Sequence, residues 1–411
     1  MLKSLKGVVS AGALCAVACS PGDPVEASNP QTDFAADIQQ TCDEIPNVYA
    51  YFSEREPIWE AACAQALIDI EQADTSLDFL IVLERLLDDL YDAHISLNTN
   101  SSQSPRLVPS GSDVWIGDES TNHSVLGVRP ESGAAPAGVK TGDQLVSFNG
   151  LNASELMARR SHALPDQMTA SRKNWALNAA ISGYRHEPRT LVVSREGVEI
   201  SYDLGDPEPA GKPNPITTST MGNYVGYIRF NNSLGNSETV LAFDNALEQL
   251  SETQGLVIDL RDTPGGGNTG VAEPILGRLV NTTLPYQITV APSAESISRQ
   301  IEPTGAWTYE QPIIALVGRW TGSMGEGMAI GLDGMARAEV LGDCMAALAG
   351  GTNDISLRRS GISIRVPAYD LTHLDGTPRH LWCVDTPVVA DAGNQDDELL
   401  KSAIKKLGEA D

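Results

Sequence analysis

The chain has 411 residues, of which 41% are hydrophobic and 20% are charged, and its formal net charge is −26. That length is enough for two or three domains with separate cores. The negative charge argues against a nucleic-acid partner, because phosphates would be repelled and no basic stripe occurs along the chain. We therefore expect a multidomain protein with an acidic surface.

Residues 1–18 are typical of an export signal. Lys3 and Lys6 precede an apolar stretch that is too short to remain as a membrane span. A basic start followed by a short apolar segment predicts export from the cytoplasm.

The stretch AVACS, which ends just after Cys19, is similar to the lipobox of bacterial lipoproteins, whose cysteine is lipidated and becomes the first residue. The resemblance implies lipidation of Cys19, a tether over residues 19–30 and a periplasmic protein anchored to the outer membrane. Ala16 stands where the lipobox usually has leucine, and Cys15 is a less favoured competitor. A plain secretory signal cut nearby is the alternative, and it also predicts export.

Four further cysteines predict two disulfide bonds, since exported cysteines meet an oxidising compartment. Proximity along the chain favours Cys42–Cys63 and Cys344–Cys383. The spacing contains no CxxC or Cys/His pattern typical of zinc sites, so we predict no metal.

Residues 31–108 are expected to form an N-terminal helical domain. In residues 76–94, apolar side chains recur on one helical face and acidic side chains lie opposite. The pattern predicts a helix that ends at His94. Residues near 100–108 have the composition of a domain boundary.

Residues 109–207 are expected to form a small β-rich domain. SVLGV and QLVSF predict strands, AAPAG predicts a short helix, and the Asn149-Gly150 pair predicts a hairpin turn. The spacing of these motifs resembles a PDZ domain, which implies binding of an extended peptide along a sheet edge. Another small β-rich domain with the same turns is the alternative.

Residues 216–411 alternate predicted strands and helices after a linker near residues 212–215. GLVIDLR and PIIALVG are apolar runs typical of strands buried on both faces. The alternation predicts an α/β layer with a mostly parallel sheet.

Ser323 lies among small residues in RWTGSMGEG, where the strand PIIALVG is expected to turn into a helix. A serine hydroxyl becomes an effective nucleophile when a base takes its proton and donors receive the charge on the attacked carbonyl. A sharp strand-to-helix turn exposes the hydroxyl and directs free N–H groups toward one point. Taken alone, a serine here is more often a helix cap.

A glycine run follows the preceding apolar strand, in VIDLRDTPGGGNTG over residues 257–270. Glycine allows close backbone approach, so its N–H can face a ligand. A phosphate-binding loop is the alternative, but no lysine follows, and Asp259 and Asp262 would repel phosphate.

The order of these segments resembles the C-terminal processing, or tail-specific, peptidase family and its tricorn-core relatives, from about residue 76 to the end. The resemblance implies a ClpP/crotonase-like α/β protease core joined to a PDZ domain. It also implies that Ser323 is the nucleophile and that the backbone N–H groups of Gly266 and Met324 form the oxyanion hole.

Many members of that family use a lysine as the base, but Leu348 occupies that position here. Because no lysine occurs between Lys212 and Lys401, a Ser-Lys dyad within the core is excluded. The other branch takes a histidine from an N-terminal D-x-H segment, which Asp92 and His94 match. An imidazole titrates near neutral pH and can take and return a proton.

We expect the position of His94 at a helix end to raise its pKa slightly. His373 and His380 are fallback bases. Asp385 is a candidate for the third, orienting group, since the glutamate of the histidine branch is missing.

The leading hypothesis is an exported serine endopeptidase that cleaves extended or unfolded polypeptides through an acyl-enzyme. It requires no metal or organic cofactor. The alternative is an inactive peptide-binding envelope lipoprotein with a peptidase-like fold, and a scaffold in which only the PDZ-like unit functions is a third possibility. A fold by itself does not decide between them.

Overall fold

The computed structural model describes residues 30–408 except 164, 165, 167, 213, 223, 232, 233, 292–294 and 386–396. The predicted export signal, Cys19 and most of the predicted tether lie outside these residues. No helix in the described part of the chain combines the length and apolarity needed to cross a membrane.

Three helices form the N-terminal region: α1 (Pro30–Val48), α2 (Glu56–Asp69) and α3 (Ser76–Asp88). They share one apolar cluster with core residues that include Ile364 and Val366, so this region packs on the C-terminal unit and has no separate core.

Helix α3 begins with a capping box between Thr75 and Asp78, which satisfies otherwise free N–H groups of its first turn. It ends at Asp88, before His94, so the prediction of a helix reaching His94 is wrong. The strand β1 (Ser96–Leu97) follows.

Both expected disulfides are present. Cys42–Cys63 joins α1 to α2, and Cys344–Cys383 joins two segments of the C-terminal unit.

In its described residues, the middle unit contains five strands and three α-helices. In chain order these are β2 (Val114–Ile116), β3 (Val125–Val128), α4 (Ala134–Ala137), β4 (Gln144–Phe148), α5 (Ala153–Arg159), α6 (Ala170–Ser182), β5 (Thr190–Arg195) and β6 (Val198–Asp203). They form a two-stranded sheet, β2-β3, and a three-stranded sheet, β4-β5-β6.

Asn149 and Gly150 both have positive φ, as the Asn-Gly turn requires. The turn leads into α5, however, and β4 pairs with β5. The turn is closed by an antiparallel bridge between Phe148 and Leu151, as predicted, but the pairing extends no further.

The C-terminal unit carries the remaining elements. They are β7 (Ile216–Met221), β8 (Val225–Phe230), α7 (Glu238–Gln249), β9 (Gly255–Asp259), α8 (Thr269–Gly277), β10 (Leu284–Val290), β11 (Ile297–Ile301), β12 (Ile313–Val317), α9 (Met324–Gly334), β13 (Glu339–Gly342), β14 (Gly351–Ser356), β15 (Ser363–Thr372) and α10 (Glu398–Gly408).

One sheet of this unit has the order β13-β12-β9-β8-β7, and its first four strands are parallel. Strands β9 and β12 are fully buried neighbours, which explains their continuous apolar runs. Since parallel neighbours end at the same sheet edge, the glycine run after β9 and the turn after β12 lie together. Thr263 forms a parallel bridge with Thr321 there.

The second sheet has the order β1-β15-β10-β11, with β14 also paired to β15. The pairing of β1 with β15 is antiparallel and joins Ser96 to Arg365. It fixes the N-terminal segment against the C-terminal unit, and that segment carries His94.

Candidate active site

Ser323 occupies the junction between β12 and α9, and its side chain is half-buried. Its backbone has φ 52° and ψ −111°, a conformation that costs a non-glycine residue free energy. The Ser323 N–H donates to Glu326 Oε2 at 2.7 Å, and Glu326 is fully buried. This contact holds the strained turn from within α9 and leaves the hydroxyl on the open side.

The glycine run lies directly against this turn. Gly266 has φ 76°, and a Cβ added to Gly267 would come within 2.4 Å of the Met324 Cβ. Among the described residues, neither the Gly266 N–H nor the Met324 N–H donates to a protein acceptor. Gly267 and Met324 line the cavity beside Ser323, whereas Gly266 lies one residue behind that lining.

His94 contacts the Ser323 hydroxyl, with 3.0 Å between Nε2 and Oγ. Its other ring nitrogen, Nδ1, lies 2.6 Å from the carbonyl oxygen of Ala349. A carbonyl can only accept, so the proton of the neutral ring lies on Nδ1 and Nε2 is free to accept from the serine. This is the tautomer that a general base requires.

Asp92 holds the turn that carries His94. Its carboxylate accepts from the His94 backbone N–H at 2.8 Å and from the Tyr49 hydroxyl at 2.8 Å. Asp92 therefore acts on the His94 backbone, while Ala349 orients the ring.

The structure contradicts the assignment of Asp385 as the orienting group. Burial raises the pKa of Asp333, and the charge of Asp385 adds to this shift. His373, which pairs with Asp333, opposes it. The orienting atom is instead the backbone oxygen of Ala349. Sequence reasoning missed it because every residue type supplies a carbonyl.

The two fallback histidines lie elsewhere. His373 contacts Asp333 and Asp375, and His380 packs edge-on against the ring of Tyr51. In the described part of the chain, neither His373 nor His380 forms a hydrogen bond to Ser323, which contacts His94.

The pKa of His94 is lowered to about 4, first by burial and then by the nearby positive charge of Arg379. The hydrogen bond to the Ala349 carbonyl opposes this shift. The expected rise from a helix end is therefore wrong, because α3 stops short of His94 and the half-buried ring has lost much of its solvation. The imidazole is neutral at neutral pH and can accept a proton.

Glu326 links the serine turn to the segment that contains Leu348. Its Oε1 accepts from the Leu348 N–H at 3.3 Å. Burial raises the pKa of Glu326 to about 7, although Arg379 and the N–H groups of Ser323, Leu348 and Ala347 oppose the shift.

Arg379 is a site residue that sequence reasoning did not identify. It is buried, and its Nη2 donates to the carbonyls of Leu348 at 3.0 Å and Gly350 at 2.7 Å. These carbonyls flank Ala349, so Arg379 positions the carbonyl that orients His94. In this part of the chain, only Leu348 was singled out from the sequence.

We expect the Cys344–Cys383 bond to affect activity as well as stability. It joins the chain just before Ala349 to the chain just after Arg379. Replacing both cysteines by serine should cost about 3 kcal/mol of unfolding free energy and lower kcat. Urea unfolding and peptidase assays check this.

The matched control replaces Cys42 and Cys63 by serine, since that bond lies within the helical region. It should lose comparable stability and keep kcat. Equal losses of kcat in both double variants would contradict a local role for Cys344–Cys383.

A cavity of about 370 Å³ opens beside Ser323 and His94. Polar side chains dominate the rest of its lining, among them Asn268, Thr289, Arg299 and Arg379. In the described chain, no group of three or more His, Cys, Asp or Glu side chains is arranged to hold a metal ion. The groups present are those of nucleophilic acyl transfer.

Residues 224–385 match the model of Peptidase family S41. The chain is 24% identical over 235 residues to a carboxyl-terminal-processing protease of Synechocystis sp. (strain ATCC 27184 / PCC 6803 / Kazusa), covering 57% of this chain and 51% of the relative. It is 28% identical over 207 residues to the carboxy-terminal processing protease CtpB of Bacillus subtilis (strain 168), covering 49% and 39%. The chain thus spans about half the length, or less, of these relatives.

Solved structures show the same fold. The photosystem II D1 C-terminal processing protease has a TM-score of 0.56 at 16% identity, covering 92% of this chain and 98% of that one. Mature CPAF has a TM-score of 0.59 at 14% identity, covering 92% and 96%. The glycine run and Ser323 both lie within residues 224–385, the part of the chain that is similar to Peptidase family S41.

Proposed function

We propose that this protein is an exported serine endopeptidase that cleaves extended or unfolded polypeptides. The observation that carries the proposal is the 3.0 Å contact between Ser323 Oγ and His94 Nε2 at the end of a strained turn. The match to the S41 family and the similarity to carboxyl-terminal processing proteases support it.

In the proposed reaction, Ser323 Oγ attacks the scissile carbonyl carbon while His94 Nε2 takes the hydroxyl proton. The N–H groups of Gly266 and Met324 receive the negative charge on the carbonyl oxygen. His94 then passes its proton to the leaving amine, and the C–N bond breaks. A water molecule, deprotonated by His94, then attacks the acyl carbon. The bond between that carbon and Ser323 Oγ breaks, and His94 returns the proton to Ser323 Oγ.

Digestion of unfolded casein tests this function, with the Ser323→Ala and His94→Ala variants as controls. The proposal requires that wild type releases peptides and that both variants fail. If wild type matches both variants, the protein is not a peptidase of this mechanism.

A second candidate is a peptide-binding protein without peptidase activity. One observation favours it. The hydrogen-bond acceptor for the His94 ring is the neutral carbonyl oxygen of Ala349, and burial together with the positive charge of Arg379 lowers the pKa of His94, which disfavours an imidazolium. Retained peptide binding with no reaction toward a fluorophosphonate would favour this candidate.

We propose that the middle unit is a PDZ-like domain that presents polypeptide to the site. It contacts both loops of the active site: Trp320 donates from Nε1 to the Ser112 carbonyl at 2.8 Å, and Arg129 pairs with Asp262 at 2.8 Å. These contacts connect substrate binding in the middle unit with the serine turn and the glycine run.

Arg129→Ala should lower kcat/KM on casein about three- to tenfold, because Asp262 at the start of the glycine run loses its nearly buried partner. Arg159→Ala, which breaks an ion pair with Glu187 inside the middle unit, is the matched control. An equal effect of both substitutions on casein cleavage would argue against coupling through this contact.

We also propose that Cys19 carries a lipid that anchors the protein in the bacterial envelope, facing the periplasm. The lipobox-like sequence before Cys19 supports this. Wild type expressed in a bacterium should fractionate with membranes, and Cys19→Ser should not. Identical fractionation of the two proteins would argue for a plain secretory signal.

A further inference from the structure

Arg379 is a buried cation without an ion-pair partner. It is 3% exposed, and among the described residues no carboxylate lies within ion-pair distance of it. Its Nη2 is used by two carbonyls, and its Nε has no hydrogen-bond partner. A buried charge is costly when unpaired, so the site favours an anion from outside the protein.

The nearby acidic groups are already engaged. Glu326 accepts from the N–H groups of Ser323 and Leu348. Asp370 accepts from the Tyr51 hydroxyl at 2.5 Å and from the N–H of Leu371. Neither carboxylate forms an ion pair with Arg379.

Arg379 also faces the cavity in which the reaction would occur. Its side chain lines the 370 Å³ space together with Ser323 and His94. Arg299 also lines this space but pairs with Glu273 at 2.5 Å, and no aspartate or glutamate is among the described residues that line it. The cavity is therefore a locally cationic region in a chain with a net charge of −26.

We propose that this cavity binds a carboxylate of the polypeptide substrate through the guanidinium of Arg379. The inference rests on the proposed peptidase function and adds to it a class of preferred substrate. Arginine suits the task because its planar donors match a carboxylate. The carboxylate comes either from the α-carboxyl end of the polypeptide or from an aspartate or glutamate side chain near the scissile bond.

Binding to the inactive Ser323→Ala variant tests the proposal without relying on cleavage. Two pairs of fluorescein-labelled ten-residue peptides are compared by anisotropy: one pair ends in a free carboxylate or an amide, and the other has Glu or Gln at an internal position. We expect the carboxylate member of at least one pair to bind about tenfold more tightly. The pair that shows the difference identifies the source of the carboxylate.

Adding Arg379→Gln to Ser323→Ala should bring the affinity ratio near one, and Arg379→Lys should keep part of it. Arg278→Gln is the control, because Arg278 is also a buried arginine but pairs with Asp244 and lies outside this cavity. Thermal unfolding of each variant verifies folding.

Equal binding within both peptide pairs, or a ratio unchanged by Arg379→Gln in a folded variant, would overturn the proposal. If the carboxylate preference is present while wild type neither cleaves casein nor reacts with a fluorophosphonate, the peptidase function fails and the carboxylate site remains. The two ideas are therefore tested separately.

Discussion

Ser323→Ala is expected to reduce kcat on unfolded casein by about 10⁴- to 10⁶-fold and to leave KM nearly unchanged. The substitution removes the only atom that forms the acyl bond, whereas the cavity that binds substrate keeps its shape. It also retains the contact between the residue-323 N–H and Glu326, since the backbone supplies that donor. We therefore expect a folded, substrate-binding and inactive protein.

A fluorophosphonate probe gives an independent measurement, because it labels an activated serine without requiring a suitable peptide. Wild type should be labelled and Ser323→Ala should not. Ser251→Ala is the matched control, since Ser251 is an exposed serine at the end of a different helix. Labelling that survives in Ser323→Ala would place the nucleophile elsewhere.

The C-terminal core was largely predictable from its sequence. GLVIDLR and PIIALVG became the buried neighbours β9 and β12, because unbroken apolar runs of that length suit strands covered on both faces. Parallel pairing then determined that the loops after them would meet. The glycine run and Ser323 were therefore predictable as one site, although they are far apart in the chain.

The surroundings of His94 were not predictable in the same way. The group that orients its ring is the Ala349 carbonyl, and a backbone atom leaves no mark in residue types. Asp385 was a reasonable choice because a carboxylate can orient an imidazole, but its charge instead raises the pKa of Asp333. The helical pattern that seemed to extend to His94 stopped at Asp88, because the apolar residues beyond it contact the core from a turn.

Arg379 illustrates a further limit. Its sequence neighbourhood, TPRHLW, contains no recognised motif, and its importance follows from which two carbonyls lie beside it in space. These contacts exist because the chain around Arg379 lies beside the loop that precedes β14. A single sequence, read by itself, carries no information about such contacts.

His94→Ala is the second large effect that we expect, with a loss of about 10⁴- to 10⁶-fold in kcat. The nucleophile would remain in its turn but would have no group within reach to take its proton. The controls are His373→Ala and His380→Ala, which remove imidazoles that do not contact Ser323. If either control were as inactive as His94→Ala while remaining folded, the base would be assigned to the wrong residue.

The pH dependence of kcat/KM distinguishes the buried base from an ordinary histidine. His94 must be neutral to accept the serine proton, so activity is present above its pKa and is lost as pH falls through it. Because burial lowers that pKa to about 4, with Arg379 adding to the shift, the acid limb should lie near pH 4 and not near 6.5. Arg379→Gln removes the neighbouring positive charge, so its acid limb should move to higher pH even if its kcat is lower. A wild-type limb near 6.5, or a limb that Arg379→Gln leaves in place, would show that the ring is solvated when substrate arrives and that the closed contact with Ser323 is not the reacting form.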